Sequence, residues 1–179
     1  PSELIGKIDI EVCPSDSRIV YALVEAPGKE GGLYKSVDQG ESFTQVSSHD
    51  GIRTRPFYYT NIKVDPKDPE VLYAMATGYF KSEDGGKTWS KVLGGNEWTG
   101  VTDLVMDPRD PDVMYAVAWQ RLRNVAVLMD GGPGSGIHKS VDGGETWREL
   151  TEGLPDDIVK AMVLDQSGNG WIGMYDRGV

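Results

Sequence analysis

An eight-residue pattern occurs three times along the chain, and it constrains the fold more than any other feature. The copies are Ser36-Val37-Asp38-Gln39-Gly40-Glu41-Ser42-Phe43, Ser82-Glu83-Asp84-Gly85-Gly86-Lys87-Thr88-Trp89 and Ser140-Val141-Asp142-Gly143-Gly144-Glu145-Thr146-Trp147. Each reads Ser-x-Asp-x-Gly-x-(Ser/Thr)-aromatic and follows a lysine. Side chains of Asp38, Asp84 and Asp142 are suited to accept hydrogen bonds from the amides of their own turn. Gly40, Gly86 and Gly144 permit a positive φ. The rings of Phe43, Trp89 and Trp147 offer a large apolar surface to bury against a sheet. These features describe a hairpin bend, and the spacings between the aspartates are 46 and 58 residues.

A second landmark recurs in fixed order with the first. Cys13-Pro14-Ser15-Asp16-Ser17, Asp65-Pro66-Lys67-Asp68-Pro69 and Asp107-Pro108-Arg109-Asp110-Pro111 each precede an apolar run, over 19–24, 71–76 and 113–118. A period of about 40–50 residues is that of propeller blades, and an insertion near 120–135 explains the longer spacing. Each unit reads as four strands. The first alternates, as in Ile8, Ile10 and Val12 against Lys7, Asp9 and Glu11, which predicts a strand with one wetter face. The second is apolar on both faces and suits a strand sandwiched between neighbouring sheets. The third runs into the bend and the fourth leaves it. The predicted fold is all-β: a β-propeller of four-stranded antiparallel blades over 4–46, 57–93 and 100–150, with a half blade over 156–179, in one partial domain spanning 1–179. A propeller hides its sheet edges by closing its ring, so further blades are expected, in cis or in trans. The start at Pro1 leads to the same expectation of a mature form or an excised piece.

The bends resemble the Asp-box, or bacterial-neuraminidase, repeat of sialidases, sortilin-type receptors and xyloglucan-cleaving glycoside hydrolases. The whole chain is most similar to sortilin-like and xyloglucanase-like bacterial propeller proteins. The first bend departs from the pattern by ending in Phe43. The resemblance implies a structural role for Ser36, Asp38, Gly40, Phe43, Ser82, Asp84, Gly86, Trp89, Ser140, Asp142, Gly144 and Trp147. It also implies a secreted or periplasmic bacterial protein. It does not imply one activity, because unrelated functions share the fold.

Charge and composition narrow the partners. A formal net charge of −10 opposes binding to nucleic acid or to an anionic membrane. No apolar run reaches the roughly 20 residues needed to span a bilayer. Cys13 is the single cysteine, so no internal disulfide forms. Cys13, His49 and His138 do not have metal-ligand spacing, and no metal or cofactor is expected. Gly131 to Gly136 lacks the lysine and helix of a phosphate loop and reads as a flexible loop.

Long loops fall on one face of such an architecture, over 26–31, 47–57, 94–99, 120–135 and 151–157, and loops on a rigid scaffold carry binding. The candidate binding residues are Arg53, Arg55, Tyr58, Tyr59, Trp98, Trp119, Gln120, Arg121 and Arg123. Aromatic faces stack on sugars or peptide side chains, and arginine pairs with carboxylates. The bland alternative makes the aromatics blade-packing residues and the arginines a solvated rim. Three functions compete. The first is a non-catalytic scaffold for a protein, peptide or glycan, with no catalytic residue assigned. The second is a fragment of a glycoside hydrolase, which needs two carboxylates roughly 5–10 Å apart, drawn from Glu25, Glu30, Asp50, Glu97, Asp103, Asp130, Asp156 and Asp157. The third is a structural subunit that completes a ring.

Overall fold

The computed structural model describes residues 4–94, 96–154 and 158–174. The chain divides into two compact units, 1–91 and 92–179. Among the described residues the regular structure is β-strand, apart from two short 3-10 turns at Gly28–Glu30 and Asp50–Arg53.

The first unit carries two antiparallel sheets in up-and-down order. One holds β1 (Ile8–Val12), β2 (Val20–Val24), β3 (Gly32–Ser36) and β4 (Thr44–Ser47). The other holds β5 (Asn61–Val64), β6 (Leu72–Ala76), β7 (Gly78–Ser82) and β8 (Ser90–Leu93), the last strand running past the unit boundary. β2 and β6 are buried at every position, as expected of strands apolar on both faces. Tyr21, Leu23, Leu33, Ile62 and Leu72 are fully buried in the core of this unit. Each such aliphatic side chain contributes about 2 kcal/mol through loss of apolar surface from water.

The second unit carries β9 (Thr99–Asp107), β10 (Asp110–Arg123), β11 (Leu128–Asp130), β12 (Gly136–Ser140) and β13 (Arg148–Leu150) in one sheet. A separate pair joins β14 (Val159–Leu164) to β15 (Gly170–Met174). Val117, Ile137, Val159 and Met162 form its core. Of the half blade expected over 156–179, β14 and β15 are seen; Asp156, Asp157 and residues 175–179 lie outside the described residues.

Three sequence expectations need correction. The alternation in β1 is real, but its wetter face is the apolar one. Ile8, Ile10 and Val12 are 47%, 59% and 50% exposed. The charged residues face β5 instead: Asp9 Oδ2 accepts the Ile62 N–H at 2.8 Å, and Glu11 pairs with Lys63 at 3.2 Å. Alternation shows that a strand has two different faces, but what packs on each is decided elsewhere in the fold.

The insertion after Ala118 is not simply a loop. β10 continues to Arg123 and returns through β11, with Arg121 opposite Asp130 and Arg123 opposite Leu128. Asn124 Oδ1 accepts the N–H groups of Ala126 and Val127 and closes the turn. The Gly131–Gly136 stretch is held by Gln120, whose carbonyl accepts the Gly131 N–H and whose Oε1 accepts the Gly134 N–H. Finally, Phe43 is 41% exposed rather than buried. Trp89 and Trp147 are partly buried, and each donates its indole N–H to a bend carbonyl, of Gly86 or Gly144, at 2.9 Å. Phenylalanine has no such donor to hold it down.

Candidate functional site

The three bends share one wiring scheme. In the second, Ser82 Oγ accepts the N–H groups of Asp84 and Gly86 and donates to Asp84 Oδ1. Asp84 Oδ1 also accepts the Thr88 N–H, and Oδ2 accepts the Thr88 hydroxyl. The same bonds recur around Asp38 and Asp142. Gly40, Gly86 and Gly144 have φ of +91°, +87° and +83°. The position before each is also left-handed, at Gln39, Gly85 and Gly143, a requirement the sequence pattern had not exposed. Hydrogen bonds hold the three carboxyls at about 2, the largest contribution coming from the hydroxyl of Ser36, Thr88 or Thr146 respectively. A carboxylate so fully occupied is ill-suited to carry protons near neutral pH.

The long segment between β4 and β5 builds a different kind of feature. Arg53 does not project outward. Its guanidinium donates to the carbonyls of Ala26 at 3.0 Å and Gly28 at 2.8 Å and pairs with Asp50, which ties this segment to the β2–β3 connection. Thr54 Oγ1 accepts the Thr77 N–H, and the Tyr58 N–H bonds to the Arg55 carbonyl at 2.9 Å. Arg55 and Thr60 lie in the left-handed region, at φ +52° and +70°. Such backbone costs of order 1 kcal/mol or more per residue and persists where its surroundings hold it.

The pinned segment displays aromatic surface. Tyr59 is fully buried, whereas Phe57 is 86% exposed and Tyr58 half-buried. The Phe57 and Tyr58 rings meet edge to face, with centroids 5.1 Å apart and planes at 86°. Beside them a groove of about 640 Å³ is lined by Lys7, Glu25, Arg55, Pro56, Phe57 and Tyr58. A second depression of about 440 Å³ adjoins it through Glu25 and adds Leu4, Ile5 and Ala26. Lys7 Nζ donates to the Tyr59 carbonyl and to Asn61 Oδ1, both at 2.7 Å. Burial lowers the Lys7 pKa, against the pull of Asp9 and Glu25. Glu25 Oε2 accepts the Lys7 N–H at 2.8 Å. The groove therefore combines apolar rings with two cations and one carboxylate. Phe57 was absent from the sequence candidates; its place directly after Pro56, in a turn, was the available signal.

In the second unit the candidates are mostly engaged in holding the hairpin. Trp119 is 8% exposed, with Lys160 Nζ 3.1 Å and Arg121 Cζ 4.6 Å from its ring centroid. Asp130 Oδ1 bridges the two cations, at 3.1 Å from Arg121 and 3.2 Å from Lys160. Burial lowers the Lys160 pKa, and Asp130 opposes the shift. Gln120 is buried and caps the glycine loop. The Trp98 N–H bonds to Asn96 Oδ1 and its carbonyl accepts the Arg121 N–H, and the residue is half-buried. Arg123 is exposed near the hairpin tip. A polar cavity of about 600 Å³ opens beside Asp130, Gly132, Ser135 and Glu149. Of the acidic candidates, Asp50, Asp103 and Asp130 are tied to Arg53, the Met162 N–H and the Arg121–Lys160 pair. Among the described residues no group of three or more His, Cys, Asp or Glu side chains is placed to hold a metal ion. No helix there is long and apolar enough to cross a membrane.

No protein-family model matches the chain, and neither does any curated protein. Solved structures do match. A GH74 enzyme from Niastella koreensis superposes with TM-score 0.63 at 21% identity, over 94% of this chain and 26% of that one. YCF48 bound to D1 peptide gives TM-score 0.56 at 14% identity, over 89% of this chain and 45% of that one. An ancestral GH74 enzyme gives TM-score 0.51 at 13% identity, over 94% of this chain and 27% of that one. At such identities the likeness speaks to fold: the chain is all-β, built of four-stranded antiparallel sheets that match part of a β-propeller. It spans between about a quarter and just under half of those chains.

Proposed function

We propose that this chain belongs to a non-catalytic β-propeller scaffold that binds a peptide in the groove beside Phe57 and Tyr58. The observation that carries this reading is the segment 53–60. Arg53 and Thr54 pin it, Arg55 and Thr60 hold strained backbone, and its ring pair, Phe57 exposed and Tyr58 half-buried, lines a groove bearing both charge signs. A rigid aromatic pair supplies contact area at little entropic cost, and neighbouring charges set register. The likeness to YCF48, whose structure contains a bound peptide, favours a peptide over a glycan or a whole protein.

In this reading the bends are Asp-box repeats of a sortilin-like or xyloglucanase-like propeller, and 4–46, 57–93 and 100–150 are successive blades of one domain, followed by a half blade over 156–179. Other blades, in cis or in trans, complete it, and its place is secreted or periplasmic. Nucleic acid and membrane insertion play no part.

The test is a positional-scanning peptide array, followed by calorimetry on the best peptide. Phe57→Ala and Tyr58→Ala should each weaken it by about tenfold or more, the loss typical of a buried aromatic anchor. Absence of any binding peptide, or affinity indifferent to both substitutions, would refute the reading. The GH74 likeness supports a second one, a fragment of a glycoside hydrolase. Release of reducing sugar from xyloglucan by the intact protein would favour it. A stable closed multimer that binds no peptide would favour the structural subunit.

A further inference from the structure

Two junctions between successive sheets lie inside single units, and both use the same bond. Asp9 Oδ2 on β1 accepts the Ile62 N–H of β5 at 2.8 Å. Asp103 Oδ2 on β9 accepts the Met162 N–H of β14 at 3.1 Å. Counted back from Cys13, Asp65, Asp107 and Asp165, the acceptor position is four residues earlier, at Asp9, Asn61, Asp103 and Ala161. The donor position is three residues earlier, at Ile10, Ile62, Leu104 and Met162. The first strand of each sheet pairs on one side only, and its other edge needs a partner for its N–H groups. A carboxylate from the preceding sheet supplies one.

The first sheet has the donor side of this junction without its cover. The Lys7 carbonyl and the Cys13 N–H bond toward β2. By the two-residue alternation of an antiparallel ladder, Ile8, Ile10 and Val12 turn their backbone groups to the opposite edge. Ile10 and Val12 are 59% and 50% exposed, whereas Ile62 and Val64, their equivalents on β5, are 0% and 3% exposed. The same side chains are thus buried where a sheet lies on them and bare where none does.

We infer that the exposed face of β1 is the seat of another four-stranded sheet of this repeat, one whose first strand carries Asp or Asn at the Asp9 position and accepts the Ile10 N–H. This rests on the reading of the chain as part of a larger propeller. It excludes β14 of a second copy as the occupant, because Ala161 holds the acceptor position there and offers no oxygen.

The junction itself is tested by amide exchange. Asp9→Leu should speed exchange at Ile62 by about tenfold, the loss of one hydrogen bond to a charged acceptor, while Asp9→Asn should leave it near wild type. Unchanged exchange in Asp9→Leu would overturn the inference. The occupant is tested by placing the photo-crosslinking residue p-benzoylphenylalanine at Ile10 in the protein within its native cells and mapping the adduct by mass spectrometry. The expected adduct lies in a Ser-x-Asp-x-Gly repeat sheet with Asp or Asn four residues before its turn. An adduct in a repeat sheet lacking that acceptor overturns this inference and leaves the propeller reading standing. An adduct on 159–174 of a second copy also overturns it. An adduct on a protein without the repeat, or none at all, overturns both.

Discussion

Replacing Ser82 by alanine removes one hydroxyl and should unsettle a whole bend. Ser82 is 2% exposed, and its Oγ accepts the Gly86 N–H at 2.9 Å in a buried bond. A buried donor stripped of its acceptor costs about 1–3 kcal/mol. The Asp84 N–H bond is longer, at 3.4 Å, and Asp84 itself is open to water, so those groups re-solvate and add little. The expected loss is about 2–3 kcal/mol. Ser140→Ala should match it, because the Gly144 N–H bond is equally buried at 2.9 Å. Ser36→Ala should cost only about 1 kcal/mol, since the Gly40 N–H is partly exposed and water can replace the serine. Matched urea titrations read the difference: at a slope of about 2 kcal/mol per molar, the Ser82→Ala midpoint falls by about 1 M. A Ser82→Ala loss below about 0.5 kcal/mol, or one no greater than that of Ser36→Ala, refutes the claim that the hydroxyl is the buried hub.

Gly86→Ala should destabilise by about 2 kcal/mol or more, since the new Cβ would stand 2.1 Å from Leu33 Cδ2 at φ +87°; Gly40→Ala, with its nearest neighbour 3.9 Å away, should show only the roughly 1 kcal/mol of left-handed strain, and equal thermal shifts would contradict this. Phe43→Trp should stabilise by about 1 kcal/mol through an indole bond to Gly40 like those at Gly86 and Gly144, read as a raised urea midpoint and as protection of the indole N–H. Asp38, Asp84 and Asp142 titrate at about 2 when folded, against an ordinary 3.8. The unfolded chain therefore takes up protons first, and stability that is whole above about pH 4 should fall as the pH drops toward about 2. Asp84→Asn should flatten that slope, and an unchanged acid profile would exclude the carboxylate as its source.

Local chemistry was legible in the sequence, and contacts between distant segments were not. The bends at 36–43, 82–89 and 140–147 stand out because the side-chain bonds that wire them join residues two to four apart, so spacing announces them; the amides of Gln39, Gly85 and Gly143, which reach the carbonyls of Arg18, Glu70 and Asp112, left no such signal. The strands are legible for a related reason, since alternation and continuous apolar runs repeat within a few residues. Distant segments determined the remainder. Tyr59 is core and Phe57 is surface, though adjacent aromatics look alike in a string of letters. Arg53 became a clamp because the carbonyls of Ala26 and Gly28 came within its reach. Trp119 lost its open face because Lys160, forty-one residues on, lay over its ring. A short-range pattern encodes what a segment can form by itself. Which of its faces meets protein, and which is left for a ligand or a neighbouring sheet, depends on side chains that only folding brings together.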